Sequence, residues 1–229
     1  MQDLYFKHPK FHVALDCIIL GFDENELKLL LIKRGFEPEI GKWSLMGGFL
    51  GDQESLDQAA RRVLKSLTGL TNVFMEQTYT YGTPERDPVS RTLSVAYYAL
   101  IRTDLYDQQV AANYGAKWFS INDIPALIFD HNQMVKQALE MLQLKSKTKP
   151  IGFELLPERF TIPQIRKLYE AIDRQELDHR NFSKKVKAMP WLKKLDIKDK
   201  SNSKKGAYLY EFDPIIYKRQ QADGINFSI

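Results

Sequence analysis

Two groups of residues in this chain of 229 amino acids have types and spacings that could do chemistry. The first begins at Gly47-Gly48. Five residues separate Gly48 from Glu54, and seven separate Glu54 from Arg62. If the segment after Glu54 is helical, positions 63, 66 and 67 share one face. They hold Val63, Ser66 and Leu67. Two of these offer no oxygen and the third only a neutral hydroxyl. Hard divalent cations need several oxygen ligands, so Glu54 alone cannot hold one and activate water beside it. The frame can position a loop and a helix, and it lacks the ligands for metal-assisted hydrolysis. The second group is Arg180, Asn181, Ser183, Lys184, Lys185 and Lys187. Arginine can pair with guanine through two hydrogen bonds, and asparagine with adenine. Lysines suit phosphate. Neither group asks for a cofactor, and His8, His12, His131 and His179 show no metal-ligand spacing.

The elements that must hold these residues are legible in the hydrophobic pattern. Phe11 to Gly21 reads as a buried strand, Asp23 to Glu26 as a turn, and Leu27 to Lys33 as its hairpin partner. Trp43 to Phe49 is a short strand. Ser55 to Thr68 is a helix, with Ser55 and Gln58 forming a capping box. Its apolar stripe is Leu56, Ala59, Ala60, Val63, Leu64 and Leu67, and Gly69 ends it as a left-handed cap. Thr92 to Arg102 and Lys117 to Ser120 read as strands, and Gln133 to Leu144 as a helix. The polar stretch Leu144 to Gly152 marks a boundary, giving domains 1–147 and 153–229.

Beyond it, Thr161 and Gln164 form a second capping box ahead of Ile165, Leu168, Tyr169 and Ile172. Asp178 caps a further helix reaching about Met189, with Phe182, Val186 and Met189 inward and the basic group outward. Leu195 to Lys198 and Ala207 to Phe212 read as a hairpin. Its tip carries Lys200, Lys204 and Lys205. Two short helices followed by a basic hairpin describe a winged helix-turn-helix, with the second helix reading the major groove. The fold class expected is α+β, a mixed-sheet α/β/α sandwich followed by that winged helix.

Charge is divided in the same way. Residues 1–147 hold 16 Lys/Arg against 18 Asp/Glu, and residues 148–229 hold 17 against 11. A basic second half fits an acidic partner, nucleic acid first. The single cysteine, Cys17, excludes an intrachain disulfide framework and a thiolate metal cluster. No apolar stretch approaches a membrane-spanning length, and Met1 to Lys10 does not read as a signal peptide. A cytoplasmic location follows as the expectation.

The Gly48–Glu54–Arg62–Leu64–Gly69–Leu70 frame resembles the Nudix box, G-x5-E-x7-R-E-U-x-E-E-x-G-U, where U is a bulky aliphatic residue. Three glutamates of the box fall at Val63, Ser66 and Leu67, so the resemblance implies a Nudix fold without hydrolase activity. Lys33-Arg34-Gly35, Gly41 to Phe49, Arg86-Asp87-Pro88 and Ser94 to Ala99 are similar to segments of adenosine-diphosphoribose-type Nudix proteins, with Met46 departing from the usual proline. Joined to the C-terminal runs Leu155 to Thr161, Leu168 to Ile172 and Leu177 to Val186, the pattern resembles the Nudix-related transcriptional regulators of bacteria over nearly the whole chain. One branch of that family controls NAD metabolism and senses adenosine diphosphate ribose, and membership of it stays open as the alternative. Another, in gut Bacteroidetes, controls L-arabinose utilisation, and this chain is most similar to that branch. The resemblance implies a homodimer on a palindromic double-stranded operator and an L-arabinose effector in the former substrate site. It also implies effector contacts from Lys33, Arg34, Trp43 and Arg86. Asp16 joins them as a carboxylate interrupting an apolar strand, which needs partners whether structural or ligand.

Two other readings stay open at this stage. One is a Nudix hydrolase of nucleoside diphosphate sugars with displaced ligands drawn from Glu54, Glu76 and Glu85. The other is an RNA-binding or adaptor protein, which would show no preference for a palindromic duplex.

Overall fold

The computed structural model describes residues 6–23, 25–105, 112–201 and 204–222. Strands β1 (His12–Asp23), β2 (Glu26–Lys33), β3 (Trp43–Ser44), β4 (Met46–Phe49), β5 (Phe74–Tyr81), β6 (Thr92–Arg102) and β7 (Lys117–Ser120) form a seven-stranded mixed sheet. Its main order is β3-β2-β1-β6-β5, with β4 added to β1 and β7 to β2. β1 runs antiparallel to β2 and β4 and parallel to β6. The expected turn between β1 and β2 includes residue 24, which lies outside the described residues.

Strand β1 is buried on both faces because alternate side chains enter two separate layers. Leu15, Cys17 and Ile19 pack with Ala59, Ala60, Val63, Leu64 and Leu67 of α1 (Leu56–Thr68). Ile18 and Leu20 pack with Met134, Val135, Ala138 and Leu142 of α2 (His131–Ser146). Both predicted ends of α1 are present. Ser55 and Gln58 close the capping box, and Gly69 takes φ 74°.

The stretch read as one strand, Trp43 to Phe49, is two. At Leu45 the backbone N–H donates to His131 Nδ1 at 3.1 Å instead of to a neighbouring strand. The chain leaves β2 after Ser44 and joins β1 at Met46.

The second layer set begins at β8 (Arg159–Thr161) and continues through α3 (Ile162–Asp173), α4 (His179–Lys187), β9 (Leu192–Asp199) and β10 (Ala207–Phe212) to α5 (Pro214–Ala222). Its sheet runs β8-β10-β9. The capping box of Thr161 and Gln164 is formed, and Asp178 accepts from the Asn181 amide. β9 begins three residues earlier than the hairpin arm read from the pattern. The hydrophobic core does not stop at the junction. Leu27, Leu29 and Leu142 belong to the same apolar cluster as Ile151, Phe153, Leu168, Tyr169 and Ile172. Gln143 Nε2 donates to the Asp173 carbonyl at 2.9 Å, tying α2 to α3. Among the described residues, no helix is long and apolar enough to cross a membrane.

Candidate functional site: an effector pocket and a nucleic-acid face

The pocket is a cavity of about 740 Å³ opening where β1, β2 and β4 meet the start of α2. That is within the ~300–1,000 Å³ typical of small-molecule sites. Its floor is a buried charge cluster. Asp16 accepts from Ser94 Oγ at 2.5 Å and lies 3.7 Å from Arg86 Nη2. Arg86 is spent mainly on Asp130, which it grips through two bonds of 2.9 and 2.7 Å. Its side chain is 3% exposed. Gly47 makes this floor possible. It sits opposite Asp16 across the β1–β4 ladder, and a Cβ there would lie 2.5 Å from Asp16 Oδ1 and 2.9 Å from the Leu15 carbonyl.

His131 completes the floor. The Leu45 amide occupies Nδ1, so in the neutral ring Nε2 carries the proton, aimed toward Asp16 Oδ1 at 3.6 Å. Burial holds the imidazolium pKa below its usual value, against the pull of Asp16 and Asp130. Just before it, Phe129 sits at φ 49°, a conformation unfavourable for a side-chain-bearing residue. Flanking bonds hold it there: Ile128 N–H to the Trp43 carbonyl, and His131 N–H to the Ile128 carbonyl. The turn sets Phe129 and His131 in the lining and directs Asp130 onto Arg86.

The mouth is cationic and aromatic. Arg34 lies 4.0 Å above the Phe36 ring and 5.2 Å from that of Phe129. Lys33 stands 4.0 Å over Trp43. Neither cation has a salt-bridge carboxylate among the described residues. Of the five expected effector residues, Asp16, Lys33, Arg34 and Arg86 line the cavity together. Trp43 is not among the lining residues. It packs edge-on against Phe119 at 4.8 Å and lies beneath Lys33. As the residue directly opposite Lys33 in the β2–β3 pair, it shares a face with that lysine and supports it from below.

The Gly-Glu-Arg frame beside the pocket is a structural clasp. Arg62 binds Glu54 through Nε at 2.9 Å and Nη2 at 2.6 Å, and its Nη2 also donates to the Phe49 carbonyl. The Arg62 contact, helped by the Gly51 amide, pulls the Glu54 carboxyl pKa down to about 2. Val63 and Leu67 are buried in the core, and Ser66 Oγ returns to the Val63 carbonyl. Glu76 is engaged elsewhere by Lys145 and Tyr98. No cluster of metal-binding side chains occurs among the described residues.

On the other half, Phe182, Val186 and Met189 are buried as the spacing requires. Arg180, Asn181, Lys184, Lys185 and Lys187 stand exposed on α4 or its flank, and Lys200, Lys204 and Lys205 at the hairpin tip. Ser183 is only half-exposed, because it faces the cleft between α4 and β10. Residues 202 and 203 of the tip lie outside the described residues.

The model of the NUDIX domain matches residues 10–141, and that of the NrtR DNA-binding winged helix domain matches 152–212. The chain belongs to the Nudix family. More narrowly, it is an NrtR-type DNA-binding regulator with a Nudix effector domain. It is 29% identical over 209 residues to the ADPR responsive transcriptional repressor NtrR of Acinetobacter baylyi, covering 90% of this chain and 83% of the relative. It is 34% identical over 134 residues to the ADP-ribose pyrophosphatase of Methanocaldococcus jannaschii, covering 57% and 73%. Among solved structures it resembles Shewanella oneidensis NrtR complexed with a 27mer DNA, at TM-score 0.81 and 29% identity over 88% of this chain and 94% of that one. The NUDIX domain of the same protein, complexed with ADP ribose, superposes at TM-score 0.54 and 30% identity, over 62% and 99%.

Sequence reasoning passed over His131 and Phe129, which line this Nudix pocket, and Asp130, which holds Arg86. His131 lies far along the chain from Asp16, and no local spacing joins them. The one usable signal was a buried carboxylate at Asp16, which had to find donors somewhere.

Proposed function

We propose that this chain is an effector-controlled transcriptional regulator whose Nudix domain binds an ADP-ribose-class nucleotide sugar without hydrolysing it. The observation that carries the reading is the pocket mouth. Lys33 and Arg34 lack carboxylate partners among the described residues and stand beside aromatic rings, a setting suited to a diphosphate flanked by flat groups. The relatives add weight, since one is named as ADPR responsive and another was solved with ADP ribose. The absence of hydrolysis is supported by Val63 and Leu67 being core residues and by Glu54 being held by Arg62. DNA is read by α4, with two protomers on two half-sites of a palindrome, in the cytoplasm where that DNA lies.

One observation favours a second reading, L-arabinose. The floor presents Asp16 and Asp87 to the cavity, and Arg86 is already neutralised by Asp130. Carboxylates accept hydroxyls of a neutral sugar and repel phosphate. The relatives give no support for arabinose.

Fluorescence anisotropy on the duplex upstream of the chain's own gene, at fixed salt, decides between them. Weakening of binding by ADP-ribose and not by L-arabinose is the expected result. Weakening by arabinose alone would transfer the assignment to the second reading. An effector that releases DNA must bind the DNA-free form more tightly. Incubation of ADP-ribose with Mg²⁺ or Mn²⁺ is expected to leave it intact, and turnover would overturn the loss of catalysis.

A further inference from the structure

The wing carries an arrangement that the reading of α4 and the hairpin tip leaves unused. Tyr208 of β10 is 39% exposed, and two lysines of β9 stand over its ring, Lys194 Nζ at 3.7 Å and Lys198 Nζ at 4.6 Å. They reach the same ring because β9 is irregular there. Tyr208 pairs with Lys198 and Tyr210 with Lys194, so two residues of β10 span four of β9. Bulges of this kind re-aim side chains. Tyr208 also lines a cleft of about 190 Å³ between the wing and α4, whose far wall includes Ser183 and Lys187.

Two ammonium groups gathered on one ring repel each other, and neither has a salt-bridge carboxylate among the described residues. Such a pair is stabilised by an anion arriving from outside. The ring holds both lysines near their binding positions, which lowers the ordering cost. We infer that the Lys194–Tyr208–Lys198 cluster, with Lys187 across the cleft, is a seat for one backbone phosphate of duplex DNA. This rests on the chain being a DNA-binding regulator, and it adds a contact that sets the distance between the wing and α4 on the duplex. The seat holds phosphate and reads no base.

Salt-dependent binding to a mixed-sequence duplex and to the upstream duplex tests the seat. The full-length Lys194→Gln/Lys198→Gln double variant is compared with the unsubstituted protein. Each phosphate contact contributes about 0.9 to the slope of log K against log salt. The variant's slope is expected to be shallower by about that amount for one bound protomer, and by twice that for a symmetric pair. Affinity is expected to fall by the same factor on both duplexes, leaving their ratio unchanged. Tyr208→Ala keeps both charges but removes their platform, and it is expected to weaken binding on both duplexes with the slope retained. An unchanged slope in the lysine variant, with an unchanged thermal melt, would overturn the seat. So would a loss confined to the upstream duplex, which would make these residues base readers. If the unsubstituted protein bound neither duplex, the regulator reading itself would fall.

Discussion

Arg86 concentrates the energetics of the pocket in one side chain. It is almost fully buried between Asp130 and Asp16, and removing it would leave two carboxylates without their cation. Breaking a buried pair in this way costs about 3–5 kcal/mol. Arg86→Ala is therefore expected to lower the urea-unfolding free energy by that order and to abolish the effector response. Arg86→Lys cannot reproduce the two-pronged grip on Asp130 and is expected to recover only part of the loss. His131 gives the pocket a pH dependence. Its folded pKa lies below the unfolded value of 6.5, chiefly through burial. The unfolded chain therefore takes up the proton first as pH falls. Stability is at its full value above pH 6.5 and declines below it, until the ring protonates in the folded protein. Urea midpoints measured from pH 7.5 downward should show this decline, and His131→Gln should flatten it.

At the level of elements, α1 sets what a glutamate would meet at positions 63, 66 and 67. Val63 and Leu67 are core residues, 3% and 4% exposed, whereas Ser66 is exposed and satisfied by a backbone carbonyl. Ser66→Glu is expected to fold normally. Val63→Glu would bury a carboxylate in the cluster of Leu15, Ile19 and Leu64, at a cost of several kcal/mol. Thermal melts of the two variants check the contrast. The caps of α1, α3 and α4 were legible from sequence because capping is local chemistry: Ser55 with Gln58, Thr161 with Gln164, and Asp178 each act within three residues. Strand β5 was not legible. It lies at the sheet edge, its inward positions do not alternate cleanly, and it breaks register with β6 between Gln77 and Thr80. The pocket was legible only in part for a related reason. Lys33, Arg34 and Arg86 fell within recognisable segments, while Asp130 and His131 arrive through the strained turn at Phe129. Trp43 had the right type and neighbourhood, and the pairing of β3 with β2 sets its ring beneath Lys33 and against Phe119.

Across the whole molecule, the polar stretch between the two halves reads in sequence as a linker, yet the apolar cluster runs through it. Ile172 and Leu168 of α3 share that cluster with Leu27 and Leu142. Elements that share a core unfold together. Calorimetry on the full chain is expected to give one transition with matching calorimetric and van't Hoff enthalpies. Two separated transitions would mean that the halves are energetically independent.

That continuity also bears on how such a protein can be rebuilt. Grafting a different sensor onto this reading head at the polar stretch would cut through Ile151, Phe153 and Tyr169, leaving each piece with a raw apolar face. A working chimera would have to inherit the matching surface of α2 along with the head, so the seam for recombination lies inside the sensor rather than between the halves.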